Sequence, residues 1–479
     1  MIRPTLALFL AALSCELANA GELRLPSLFS DGAVLQQRAT VAVWGWAEPG
    51  DEVSVSASWS EDGGATVVSA DANGRWTADV TTPTAGGPHR LEITCGDETA
   101  TVDDVLVGEV WLCSGQSNME WTLDKTIEAT RRDADLPPAT LALERQRIRF
   151  FDVPRTAALS PQPDVDALWW NAHGEDTLRC SAVAYFFAAR LQDDLDVPVG
   201  LVVSAWGGTT AQAWMSRDIV SGFPDHAAAI ERAVQADNGE PPSQRVPASL
   251  YNGMIEPLAP YGIRGVIWYQ GESNRIRAQE YRTLFPALIV NWRERWGNDA
   301  LPFHCVQLAP FDYGEGDAGD LTALVREAQQ HASDSLPHVG LALTADVGNP
   351  GDIHPLNKWA VGDRLARLAL VDPYGVEGIV SRGPAFRRAV PSGRELRIEF
   401  DHVHGGLALR GESLDHFEVA GADGAFVPAR ARIAEDGESV VLTSLDIDAP
   451  TRARYLWNDA AEATLMSVSG LPAAPFRTR

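Results

Sequence analysis

WLCSGQSNMEW, residues 111–121, is apolar through Leu112 and Cys113 and then turns abruptly polar at Gln116, Ser117 and Asn118. Upstream it continues the run VLVGEVWLC from Val105, which has the composition of a strand buried on both faces. A glycine at 115 permits a tight turn, and Ser117 then falls where a helix begins, with backbone N–H groups pointing outward. Such a serine is placed to act as a nucleophile, with its own amide stabilising the oxyanion that its attack creates. The plainer reading is a helix N-cap. The Gly-x-Ser-x-Gly pattern of the α/β-hydrolases is not met, because Met119 occupies the last position.

Working outward, four more runs read as doubly buried strands: VGLVVSAW from 199, IRGVIWYQ from 263, PFHCVQLAP from 302 and VGLALTADV from 339. Helical patterns lie between and after them. Tyr281, Leu284, Phe285, Leu288, Ile289, Trp292 and Trp296 share one helix face, and AVAYFFAARLQDDL and LNKWAVGDRLARLAL read as two further helices. Strands alternating with helices predict a parallel sheet covered on both sides, with ligands beyond the carboxyl ends of its strands.

The residues just after each run are therefore the candidates. Gly207-Gly208 can bring backbone N–H groups close to an oxyanion, although a turn is the bland alternative. Gly271-Glu272-Ser273-Asn274 offers the Asn274 amide, while Glu272 raises the rival possibility of a glycosidase carboxylate. The last run leads into a Gly/Pro-rich loop that carries Asp352 and His354. His354 can take the proton of Ser117 and return it to a leaving group. Asp352 is the nearest acid to orient it, with Asp346, Glu272 or a backbone carbonyl as alternatives. His402 and His404 fall on a period-two segment, where structural or solvent-facing roles are expected.

Outside this region the periodicity is two. TVAVWGW and EVSVSASW flank a Pro49-Gly50-Asp51 turn, and Asn73-Gly74 marks another. The expected organisation is a leader at 1–20, an N-terminal β module at 21–103, an α/β domain at 104–372 and a β-rich segment at 373–479. The leader has Arg3, an apolar core and an Ala18-Asn19-Ala20 cleavage pattern, so the protein is expected to be exported, periplasmic or secreted. Cys15 allows a minor lipoprotein alternative. A net charge of −26 argues against nucleic acid or an anionic membrane as partner. Cys95, Cys113, Cys180 and Cys305 are expected to be buried thiols, and no pair has zinc-ligand spacing. No metal and no cofactor are expected.

Serine, glycine, asparagine and histidine, each following a successive strand of one sheet, form the order that marks the SGNH hydrolases. The chain resembles their sialate O-acetylesterase-like branch almost end to end. The resemblance is carried by SDGAVLQQ (30–37), GEVWLCSGQSNMEW (108–121), SAWGGTTAQAW (204–214), LYNGMIEPL (250–258), GVIWYQGESN (265–274), DIHPLNK (352–358) and GLPAAPFRT (470–478). It implies an α/β, flavodoxin-like three-layer sandwich flanked by antiparallel β-sandwich segments. It also implies hydrolysis of O-acetyl esters on sialic acid, xylan or other hemicellulose sugars, without cofactor. By that resemblance Ser117 is the nucleophile, His354 the base, and Ser117, Gly207, Gly208 and Asn274 supply the oxyanion hole. Gln116, Gln270 and Glu272 are assigned to substrate binding. Position 351 is glycine where many relatives carry the triad acid, so Asp352 orients His354 from a tighter loop or the pair works as a dyad. A catalytically dead carbohydrate-binding scaffold is the remaining rival.

Overall fold

A computed structural model describes residues 22–60, 64–132, 144–314 and 320–478. The expected leader and Cys15 lie outside the described residues. The five predicted doubly buried runs all form strands of one sheet. In spatial order they are Val199–Ala205, Glu98–Gly115, Gly265–Tyr269, Phe303–Val306 and Val339–Ala342, every neighbouring pair parallel. Numbered along the chain this is the order 2-1-3-4-5, which places a topological switch beside Glu98–Gly115. Two strands not expected from the sequence extend one edge: Glu144–Asp152 adds parallel to Val199–Ala205, and Trp169–His173 closes that edge antiparallel.

The predicted helices form with nearly the expected bounds: Ala182–Leu195, Ala278–Trp296 and Lys358–Val371. Asp196 and Gly297 stop the first two in the left-handed conformation, which satisfies their last carbonyls. Apolar faces of Ala182–Leu195 and Lys358–Val371 meet over one face of the sheet, around Val183, Phe187, Val361 and Leu365. Ala278–Trp296 covers the other face, where Trp268 packs edge-on against Trp292 and Trp214.

Before this domain, the Pro49–Asp51 and Asn73–Gly74 turns join strands as predicted, with Gly50 and Gly74 at φ of +91° and +74°. The strand Glu98–Gly115 belongs to both regions. Its first part pairs with Gly86–Cys95, and its second part is the centre of the parallel sheet, so the 103/104 boundary falls inside one strand. The C-terminal segment forms separate antiparallel sheets around its own core of Leu396, Ile398, Phe417, Val440 and Tyr455. It is tied to the α/β domain through Asp459, which bonds the Thr322 amide and pairs with Arg275 at 3.3 Å. The four described cysteines are free and buried. His402 and His404 sit just beyond the strand Glu395–Asp401, both with positive φ, and not within the strand.

Candidate active site

The turn after Glu98–Gly115 is forced by one close approach. Gly115 has φ +137°, and a Cβ there would lie 2.2 Å from the carbonyl oxygen of Tyr269 on the neighbouring strand. Only glycine lets the two strands stay paired to their ends. The chain then enters the short helix Ser117–Glu120, with Gln116 in the N-cap position and making no side-chain cap bond. The N-cap reading of Ser117 is therefore not what forms. Its hydroxyl meets His354 Nε2 at 3.0 Å. As the first helical residue, Ser117 has an amide with no intrahelical acceptor.

His354 is about a quarter exposed, with its ring stacked on Trp121 at a centroid distance of 4.9 Å. Burial is the main cause that lowers its pKa below 6.5, reinforced by the nearby Lys358 and Lys125 and opposed by Asp352. A neutral imidazole beside a serine hydroxyl is the state a general base requires.

The three acids proposed to orient His354 separate clearly. Asp346 is buried in a two-pronged ion pair with Arg364, both contacts 2.6 Å. Glu272 accepts from Asn118 Nδ2 at 2.7 Å. Asp352 accepts the backbone amide of His354 at 2.9 Å, and its Oδ1 stands 3.6 Å from Nδ1. Asp352 is thus the acid beside the ring, at ion-pair and not hydrogen-bond distance.

The oxyanion candidates follow neighbouring strands of the sheet. A Cβ on Gly207 would lie 3.2 Å from that of Ser117, so this turn packs directly against the nucleophile. The Gly207 amide donates to Glu120 Oε2 at 3.0 Å, whereas no acceptor for the Gly208 amide is present among the described residues. Asn274 is buried, its Oδ1 fixed by the Ala211 amide at 2.9 Å and by Gln270 Nε2 at 2.7 Å. Its Nδ2 gives one hydrogen to Gln212 at 2.9 Å, which leaves the second free.

Of Gln116, Gln270 and Glu272, assigned from the sequence to substrate contact, Gln270 and the Glu272 carboxylate are bonded to protein groups. Gln116 Oε1 faces the amides of Gly271 and Ser273, each at 3.4 Å, and Gln270 is fully buried behind Asn274. The Glu272 carboxylate is buried, with Oε2 unpartnered, and burial raises its pKa. Trp214 and Trp268 are core, while Trp121 and Trp206 are partly exposed.

Two residues at this site gave no signal in the sequence. Asn118 and Lys358 are both fully buried and bonded to each other. An asparagine beside a serine, or a lysine opening a helix, looks like ordinary surface chemistry until the fold buries it. Among the described residues no cluster of three His, Cys, Asp or Glu side chains could hold a metal ion.

The family profile described as "Carbohydrate esterase, sialic acid-specific acetylesterase" matches residues 107–370. Human sialate O-acetylesterase is 32% identical over 396 residues, covering 75% of this chain and 73% of the human one. The rat sialate O-acetylesterase is 28% identical and covers 95% of this chain and 94% of its own. A crystal structure of a carbohydrate acetylesterase from Xanthomonas citri superposes with a TM-score of 0.83 at 38% identity, covering 96% of this chain and all of that one.

Proposed function

The chain belongs to the sialic acid-specific acetylesterase family of carbohydrate esterases, and from that premise we propose that it removes O-acetyl groups from sugars through a serine acyl-enzyme. The observation that carries the reading is the 3.0 Å contact between Ser117 Oγ and His354 Nε2.

In this mechanism Ser117 Oγ attacks the acetyl carbonyl carbon as its proton passes to His354 Nε2. The Ser117 amide, the Asn274 amide and the Gly208 N–H hold the tetrahedral oxyanion. His354 then protonates the departing sugar oxygen, leaving acetyl-Ser117. A water molecule, deprotonated by His354, attacks the acyl carbon, and acetate leaves as Ser117 regains its proton. Asp352 orients the imidazole and offsets its positive charge. The glycosidase reading has no support, because the Glu272 carboxylate is buried and already bonded to Asn118.

The acetylated sugar is either a sialic acid or a plant-type polysaccharide such as xylan. The test is hydrolysis of 4-nitrophenyl acetate by the wild type beside Ser117→Ala and His354→Ala. Loss of several orders of magnitude in both variants is expected, and three equal rates would refute the esterase reading. Acetate release from 9-O-acetylated sialic acid against acetylated xylan then selects the substrate.

A further inference from the structure

Lys358 opens the helix Lys358–Val371 and is fully buried. Its Nζ has one hydrogen-bond acceptor, Asn118 Oδ1, and otherwise faces the rings of Tyr269 and Trp121 at 5.4 and 5.7 Å. Burial disfavours the charged amine, while the nearby Glu272 and Asp352 carboxylates favour it. An apolar side chain would fill the space without that desolvation, but it would leave Asn118 without its donor.

What the amine supplies is direction. A carboxamide can face either way with similar shape, but the protonated amine only donates, so in that state it holds the Asn118 oxygen toward itself. The Asn118 Nδ2 is then turned to the Ile353 carbonyl at 3.1 Å and to Glu272 Oε1 at 2.7 Å. Asn118 follows the nucleophile, Ile353 precedes the base, and Glu272 lies two residues before Asn274. One carboxamide thus joins the three turns that must meet at the reacting carbonyl.

We infer that Lys358 is a positioning residue of the hydrolytic site, which fixes the Asn118 carboxamide and through it the mutual reach of Ser117, His354 and Asn274. This rests on the esterase reading above. Lys358 touches none of the reacting atoms: its hydrogen bond goes to Asn118, and its charge adds to the burial that lowers the pKa of His354.

The experiment compares kcat and KM on 4-nitrophenyl acetate for wild type, Ser117→Ala, Lys358→Met, Asn118→Ala and the Lys358→Met/Asn118→Ala pair, with folding checked by near-UV circular dichroism. Lys358→Met is expected to lower kcat about 10- to 100-fold, the scale of a small misalignment at a reacting centre. KM should stay within about threefold, since the lost interaction is not a substrate contact. The double variant should be no slower than Asn118→Ala, because the two residues act as a unit. A folded Lys358→Met with wild-type kcat, or losses that multiply in the double variant, would overturn the inference. Should Lys358→Met fail to fold, Lys358→Met/Glu272→Gln removes the opposing buried acid and carries the same expectations. If neither folds, Lys358 serves folding and the positioning role is lost. A wild type that ignores Ser117→Ala sinks the esterase reading and this inference together. One that depends on Ser117 but is indifferent to Lys358 sinks only the second.

Discussion

Trp121 lies nearly flat against His354, with the ring planes 24° from parallel. This face accounts for part of the burial that lowers the imidazole pKa. A base with a lowered pKa stays neutral further into acid, so the acid limb of kcat/KM is expected below 6.5. Trp121→Ala admits water to the ring and should move that limb upward, toward the ordinary histidine value. A pH series on 4-nitrophenyl acetate measures both. An unmoved limb would mean that Trp121 does not set the ionisation of His354.

Asn274 is held on both sides of its amide, so its free hydrogen is aimed before substrate arrives. Asn274→Ala is expected to lower kcat about 10²- to 10³-fold, the range for losing one oxyanion donor, with little change in KM. Steady-state kinetics on the folded variant decides this, and a drop confined to KM would place Asn274 in substrate binding instead.

Asp352 stands 3.6 Å from the histidine nitrogen it would serve and is partly exposed. A tightly bonded triad acid is worth about 10⁴-fold in kcat. Here the carboxylate is looser and better hydrated, so Asp352→Asn is expected to lose about 10- to 100-fold. Asp346→Asn acts on a different bond, the buried pair with Arg364, and should lower the unfolding midpoint more than it lowers kcat. Measuring both quantities for both variants separates the two acids.

His304 carries a stability prediction. It is buried in the strand Phe303–Val306, where Nε2 donates to the Asp372 carbonyl at 2.8 Å and Nδ1 has no partner. Burial pushes its pKa down from 6.5 to about 4. Between those values the unfolded chain binds the proton and the folded chain does not, so stability is lost as pH falls through that window. The full shift corresponds to up to about 3 kcal/mol. Urea unfolding midpoints from pH 7 to pH 4 should fall in the wild type and fall less in His304→Asn.

The parts of the fold that were legible in the sequence are those dictated by burial on both faces. The five central strands need continuous apolar runs, and Ala278–Trp296 needs one apolar stripe, so composition and period announce them. Glu144–Asp152 reads ERQRIRFFD, and its charged first half hides a strand whose second half is core. Ser117, Asn274 and His354 were legible because each follows a strand at a glycine-marked turn. Lys358 and Asn118 were not, since a buried bond between residues 240 positions apart leaves no periodic trace. Gln270 and Glu272 lay beside the right turns, but sequence carries no sign that their polar groups bond to protein neighbours.

The strand Glu98–Gly115 splices two regions of the chain together mechanically. Its first half is woven into the N-terminal β region and its last residue sets the nucleophile turn. A recombination junction at 103/104 would sever a segment that is bonded on both sides of the cut. An exchange of either region would have to keep this strand whole, with its partners on both sides of residue 103.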